Sequence, residues 1–183
     1  MPSSHRSETA SPSISTAGLG VLGVVSEGRT HGFAVAVLFA TDGELGRVWR
    51  IPRPVVYREI SRLTDAGLVR SVGVETDGPG PDRTLVEATA AGRRRLHRWL
   101  DEPVLRPREA RSALLLKLAL LDRSDRDATA LIAAQRDVFT DRLAGLRAAV
   151  QSTDPGSFEH TLALWRVSST QAILDFLTAI TER

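Results

Sequence analysis

The sequence predicts a mainly α-helical protein with one small β-hairpin: an N-terminal winged helix-turn-helix unit followed by an all-helical C-terminal segment. Three observations predict it. Apolar residues recur at helical spacing through most of the chain beyond Thr16. Two β-prone runs, Leu68 to Val74 and Thr84 to Glu87, flank the turn-forming stretch Asp77-Gly78-Pro79-Gly80-Pro81-Asp82. Three helical stretches precede this pair and a basic one follows it, which is the element order of a winged helix.

The elements follow in order. Residues 1–15 are rich in Ser, Pro and Thr, with Ile14 as their aliphatic residue, and too little apolar surface to offset the entropy of ordering predicts a disordered tail. A first helix starts at Thr16, carries Leu19, Leu22 and Val25, and stops at Glu27-Gly28. Thr30 is expected to cap a second helix with Phe33, Val37 and Leu38 on one side, running to Asp42-Gly43. The stretch Glu44 to Ile51 connects, with Trp49 assigned to the core. The third helix starts at Pro52-Arg53-Pro54, where a proline lacking its N–H costs nothing, and ends at Gly67. Val56, Ile60 and Leu63 share one of its faces, while Pro54, Arg58, Ser61, Arg62 and Asp65 point the other way. After the hairpin, Thr89 caps a fourth helix that reaches Glu102. The organisation expected is therefore a tail (1–15), a winged unit (16–102), a proline-bearing linker (103–108) and a helical segment (109–183) with stretches near 109–122, 126–151 and 155–182.

The 183 residues, 42% hydrophobic, suffice for one core. With no cysteine, disulfides, thiolate metal sites and thiol nucleophiles are excluded. No apolar run approaches the roughly 20 residues that span a bilayer, so no membrane partner is expected and the cytoplasm is the expected location. The net charge is +2, yet the cations are nearly all arginine and they cluster. Between Glu44 and Arg62 stand Arg47, Arg50, Arg53, Arg58 and Arg62 against Glu44 and Glu59; between Arg83 and Arg98 stand Arg83, Arg93, Arg94, Arg95 and Arg98 against Glu87. The C-terminal part mixes signs evenly, as a solvated helical surface does.

The third helix is thus the candidate recognition helix, of a width that suits the DNA major groove. Arg58, Ser61 and Arg62 would face base edges or phosphates, with Arg53 and Tyr57 near the backbone and Arg83 on the wing's return strand. The alternative is a solvated face of i, i+4 pairs, with Arg83 a mobile loop charge. The four histidines have no metal-ligand spacing, and no nucleophile elbow, phosphate loop or dinucleotide fingerprint occurs, so neither an enzyme nor a metal or cofactor is expected. Trp99 and Trp165 could line a pocket for a small aromatic effector, or simply pack. In the last helix, Phe158, Leu162, Trp165, Ile173, Phe176 and Ile180 form a stripe that Leu164, Val167, Leu174 and Leu177 widen. Together with the run Ala113 to Leu121, so much apolar surface predicts a homodimer. A protein-interaction adaptor built on the same winged helix, without DNA binding, is the competing function.

The chain resembles the PadR family of transcription regulators, in the long form with a helical C-terminal domain, over about residues 17–183. Leu22 to Gly28 followed by His31-Gly32-Phe33 looks like the family's first helix and H-G-Y segment, with Phe33 where tyrosine is usual. Val55-Val56-Tyr57-Arg58, Arg62-Leu63 and Ala66-Gly67-Leu68-Val69 look like its recognition-helix pattern. Arg83, Thr89 and Ala91-Gly92-Arg93 resemble the wing's basic return and the start of the next helix, with Val86 and Ala88 where the family has an aromatic residue and leucine. The resemblance implies a dimeric, repressor-like protein on a palindromic operator that a small molecule releases.

Overall fold

A computed structural model describes residues 14–76 and 82–182. The tail up to residue 13, the hairpin turn 77–81 and Arg183 lie outside the described residues.

Helix α1 (Thr16–Ser26) begins where Ser15 Oγ accepts the Gly18 N–H at 2.9 Å, so Ser15 and the half-buried Ile14 belong to the helix's start. Every residue from Gly18 to Val25 is buried, as expected of a helix apolar all round. It is the axis of the core. Added Cβ atoms on Gly20 and Gly23 would stand 3.0 Å from Leu116 and 2.6 Å from Leu120. Helix α6 (Leu115–Arg123) therefore packs directly on α1. That corrects one expectation: Leu114, Leu116, Leu120 and Leu121 are buried within this chain and await no partner.

A second correction concerns residues 30–43. Thr30–His31 form a short strand, β1, and His31, not Thr30, caps helix α2 (Gly32–Leu38) by accepting the Ala34 N–H on Nδ1 at 3.1 Å. Val35, Ala36 and the following Phe39 face the core, whereas Phe33 and Val37 are exposed. In a seven-residue helix the periodicity is too short to choose a face.

Helix α3 (Arg53–Asp65) has Pro54 in its first turn and buries Val56, Glu59 and Leu63. Its end is a Schellman motif: the Leu68 N–H reaches the Leu63 carbonyl at 2.9 Å and the Gly67 N–H reaches that of Thr64 at 2.9 Å. Gly67 takes φ +70°, a conformation that favours glycine. Strands β2 (Val69–Glu75) and β3 (Arg83–Ala88) then form the antiparallel wing, with a bulge between Ser71 and Gly73. β1 adds to β3 through Thr30 opposite Val86 and His31 opposite Leu85, giving the order β1-β3-β2. Arg70 on β2 donates to Glu87 on β3 at 2.9 Å, which holds the Glu87 carboxyl below its usual range. Thr89 donates to the Gly67 carbonyl at 2.8 Å and accepts the Gly92 N–H at 3.1 Å, tying helix α4 (Ala90–Asp101) to the turn after α3.

The stretch 103–108 is pinned at its middle. Val104 is buried, its N–H donating to Gln135 Oε1 and its carbonyl accepting from Gln135 Nε2, both at 2.8 Å. Helix α5 (Pro107–Glu109) runs through a π-helical segment (Ala110–Leu114) into α6, whose Arg123 clasps Glu27 at the end of α1 and Glu44 in the next connection. Helices α7 (Thr129–Gln151) and α8 (Phe158–Thr181) pack along each other, and one contiguous core runs from α1 to Phe139 and Leu177. Along α8, Phe158, Leu164, Trp165 and Phe176 are exposed. Among the described residues no helix is long and apolar enough to cross a membrane.

Candidate nucleic-acid interface

Burial of Val56 and Leu63 in the core turns the opposite side of α3 outward, so Tyr57, Arg58, Ser61 and Arg62 are all exposed, as is Arg53 at its first turn. The residues singled out on this helix therefore share one solvent-facing surface. Arg58 and Arg62 converge on Glu59: Glu59 Oε1 is 3.7 Å from Arg58 Nη2 and accepts from Arg62 Nη1 at 3.3 Å. This carboxylate is buried beside α1, where an added Cβ on Gly18 would stand 2.9 Å from its Oε2. The alternative of a solvated face of i, i+4 pairs does not describe this arrangement, since the acid lies inward and its two cations are one and three residues away.

Arg83 is brought to the same region. It opens β3, and its guanidinium carbon lies 5.5 Å from the centroid of the Phe33 ring. Arg53 lies 5.1 Å from that ring and 5.6 Å from that of Tyr57. Between α3 and the wing these side chains line a cleft of about 490 Å³, whose walls include His31, Gly32, Ile60, Thr64 and Val86. Gly32 matters here because a Cβ would meet the Tyr57 ring at 2.7 Å. His31 stacks near Phe33, with centroids 6.3 Å apart, and its Nε2 stands 3.8 Å from Glu75. Asp82 is the one acid lining the cleft among the described residues.

Phe33 and Glu59 were not among the site residues read from the sequence. Glu59 was legible, because it falls between Val56 and Leu63 on the packed stripe while its neighbours Arg58 and Arg62 do not. Phe33 had no comparable signal in so short a helix.

The two tryptophans do not share a pocket. Trp99 is buried in the core with the Lys117 ammonium 5.0 Å above its ring, whereas Trp165 is 69% exposed on α8. Trp165 lines a separate cleft of about 270 Å³ with Arg106, Arg108, Arg142 and Arg166. Among the described residues no group of three or more His, Cys, Asp or Glu side chains is placed to hold a metal ion.

No family model matches the chain. It is 24% identical over 143 residues to the negative transcriptional regulator PadR of Bacillus subtilis, covering 78% of this chain and 73% of that protein. Among solved structures, Bacillus subtilis PadR in complex with operator DNA superposes with a TM-score of 0.45 at 22% identity, over 89% of this chain and 96% of the other. Bacillus subtilis PadR in a second crystal structure gives 0.43 at 20% identity, over 94% and 96%. Across most of its length, then, the chain is a distant homologue of the PadR family of transcriptional regulators.

Proposed function

We propose that this chain is a sequence-specific, DNA-binding transcriptional regulator, with α3 as its recognition helix and the β2–β3 wing beside it. The observation that carries this is the outward side of α3: Arg58, Ser61 and Arg62 are held in solvent by burial of the helix's other face, with Arg53, Tyr57 and Arg83 grouped at one end. Arginine offers two parallel donors to a guanine edge, while cations at the margins meet phosphates. Its PadR relative is named a negative regulator, and repression is the sense proposed here. The winged unit (16–102) would contact DNA and the helical segment (109–183) would pair two copies through the exposed apolar stripe of α8. Each copy would then serve one half of a palindromic site, about 34 Å from the other. A planar effector would sit against Trp165, since Trp99 is closed off in the core.

The test is to sequence DNA fragments that co-purify with the protein from its native host and titrate the enriched duplex in rising salt. Phosphate contacts predict an affinity that falls steeply and linearly on logarithmic axes as counterions are released. Enrichment of no sequence, or binding indifferent to salt, would favour the adaptor function instead.

A further inference from the structure

Phe33 is an aromatic residue kept 42% exposed at the N-terminal end of α2, yet it is not idle surface. Its ring carries two guanidinium groups from different elements: Arg53, from the first turn of α3, at 5.1 Å, and Arg83, from the first residue of β3, at 5.5 Å. Two cations within that radius of one centroid repel each other, and neither has an ion-pair partner among the described residues to offset this. What holds them is the attraction of a cation to the negative face of the ring. Such an arrangement is disfavoured without an anion and strengthened by one. The ring narrows the conformations open to the long arginine side chains, so less freedom is lost when a phosphate is gripped.

We infer that Phe33 is a positioning residue: it joins the wing arginine Arg83 and the recognition-helix arginine Arg53 into one clamp for the phosphate backbone of a DNA duplex. This rests on the DNA-binding function proposed above and adds to it a residue that touches neither base nor phosphate itself. Stacked guanidiniums keep their N–H edges free, and these edges are the part that binds a phosphate oxygen pair. Because the phosphates of every duplex are alike, the clamp raises affinity for DNA in general and contributes register, not base choice.

The experiment compares wild type, Phe33→Leu and Phe33→Trp by fluorescence anisotropy on two duplexes, the sequence enriched from the host and a scrambled one, across a salt series. Thermal melts run alongside. Phe33→Leu removes the ring and keeps comparable apolar bulk at an exposed site, so its melting temperature stays at the wild-type value. The clamp predicts that its affinity drops by a similar factor, roughly three- to thirtyfold, on both duplexes, and that the salt slope shallows by up to about 1.8 as two phosphate contacts weaken. Phe33→Trp, with the best cation-binding ring, restores affinity and slope. Wild-type affinity and slope in Phe33→Leu overturn the clamp while leaving the DNA-binding function standing. A loss confined to the enriched duplex, or an equal loss in Phe33→Trp, overturns it as well. If the wild type binds neither duplex, the DNA-binding function fails, and the clamp with it.

Discussion

Glu59 Oε1 accepts a hydrogen bond from Arg62 Nη1 at 3.3 Å, although Glu59 is 3% exposed and Arg62 stands in solvent. A buried carboxylate thus orients one of the two outward arginines of α3 and reduces the positive charge that face presents. Replacement by the isosteric amide, Glu59→Gln, keeps the volume and removes the charge. Affinity for a scrambled duplex is expected to rise with a salt slope steeper by about 0.9, while preference for the operator narrows because Arg62 loses its orientation. Parallel titrations on the two duplexes check this, and an unchanged ratio with an unchanged slope would refute it.

Lys117, the chain's one lysine, is 2% exposed on α6, its ammonium over Trp99 and donating to the Glu102 carbonyl. Burial pushes its pKa from 10.5 down to about 8, with Glu102, Asp101 and Glu109 pulling upward and Arg95 downward. Between those two values the unfolded chain binds more protons than the folded one, so stability rises with pH across the window, by roughly 3 kcal/mol in all. Below pH 8 the full cost of burying the cation is present. Lys117→Met is therefore expected to be the more stable protein at neutral pH, and its melting temperature to converge with that of the wild type as pH approaches 10. Melting curves that run parallel from pH 7 to 10 would show that the ammonium carries no such cost.

Gly92 lies in the first turn of α4, where that helix passes the turn after α3, and a Cβ there would collide with the backbone carbonyl of Leu68. Backbone cannot swing aside as a side chain can. Gly92→Ala is expected to lose about 1–3 kcal/mol despite alanine's better helix propensity, a loss that urea denaturation would measure. A stabilised variant would mean that the turn and α4 are not locked together.

The proposed homodimer makes its own demand on α8. Phe158, Trp165 and Phe176 follow one another along the exposed stripe, and each aliphatic or aromatic side chain withdrawn from water contributes about 1.5–3 kcal/mol. The wild type is expected to sediment as a dimer and the double variant Trp165→Glu, Phe176→Glu as a folded monomer with much weaker operator affinity. Inserting about half a helical turn of DNA between the half-sites should weaken the wild type similarly. A double variant that still sediments as a dimer would place the interface elsewhere.

Much of the fold is legible in the sequence because strong local signals agree with the packing. Thr89 is an oxygen-bearing cap, Gly67 ends α3 in a conformation that favours glycine, and the Val56, Leu63 stripe predicts which side of α3 faces out. Where local signals are short or tertiary contacts decide, the sequence is silent. β1 is two residues long and exists through its pairing to β3. The leucine run of α6 looks surplus until α1 is seen to offer Gly20 and Gly23 for close approach. The stretch 103–108 reads as a linker from its prolines, yet Gln135, a residue 31 positions from Val104, satisfies both backbone groups at its centre. Phe33 sits beside Arg53 and Arg83 through a meeting of three elements that no window of sequence contains.

The side of α3 that bears Arg58 and Arg62 is the centre of the account, and operator discrimination by single variants tests it most directly. In anisotropy titrations at fixed salt, Arg58→Ala and Arg62→Ala should each lower affinity for the operator by about 1–3 kcal/mol. Both should bind a scrambled duplex more nearly as the wild type does, with unaltered circular dichroism. Operator affinities equal to wild type in both variants would contradict the assignment of this helix face.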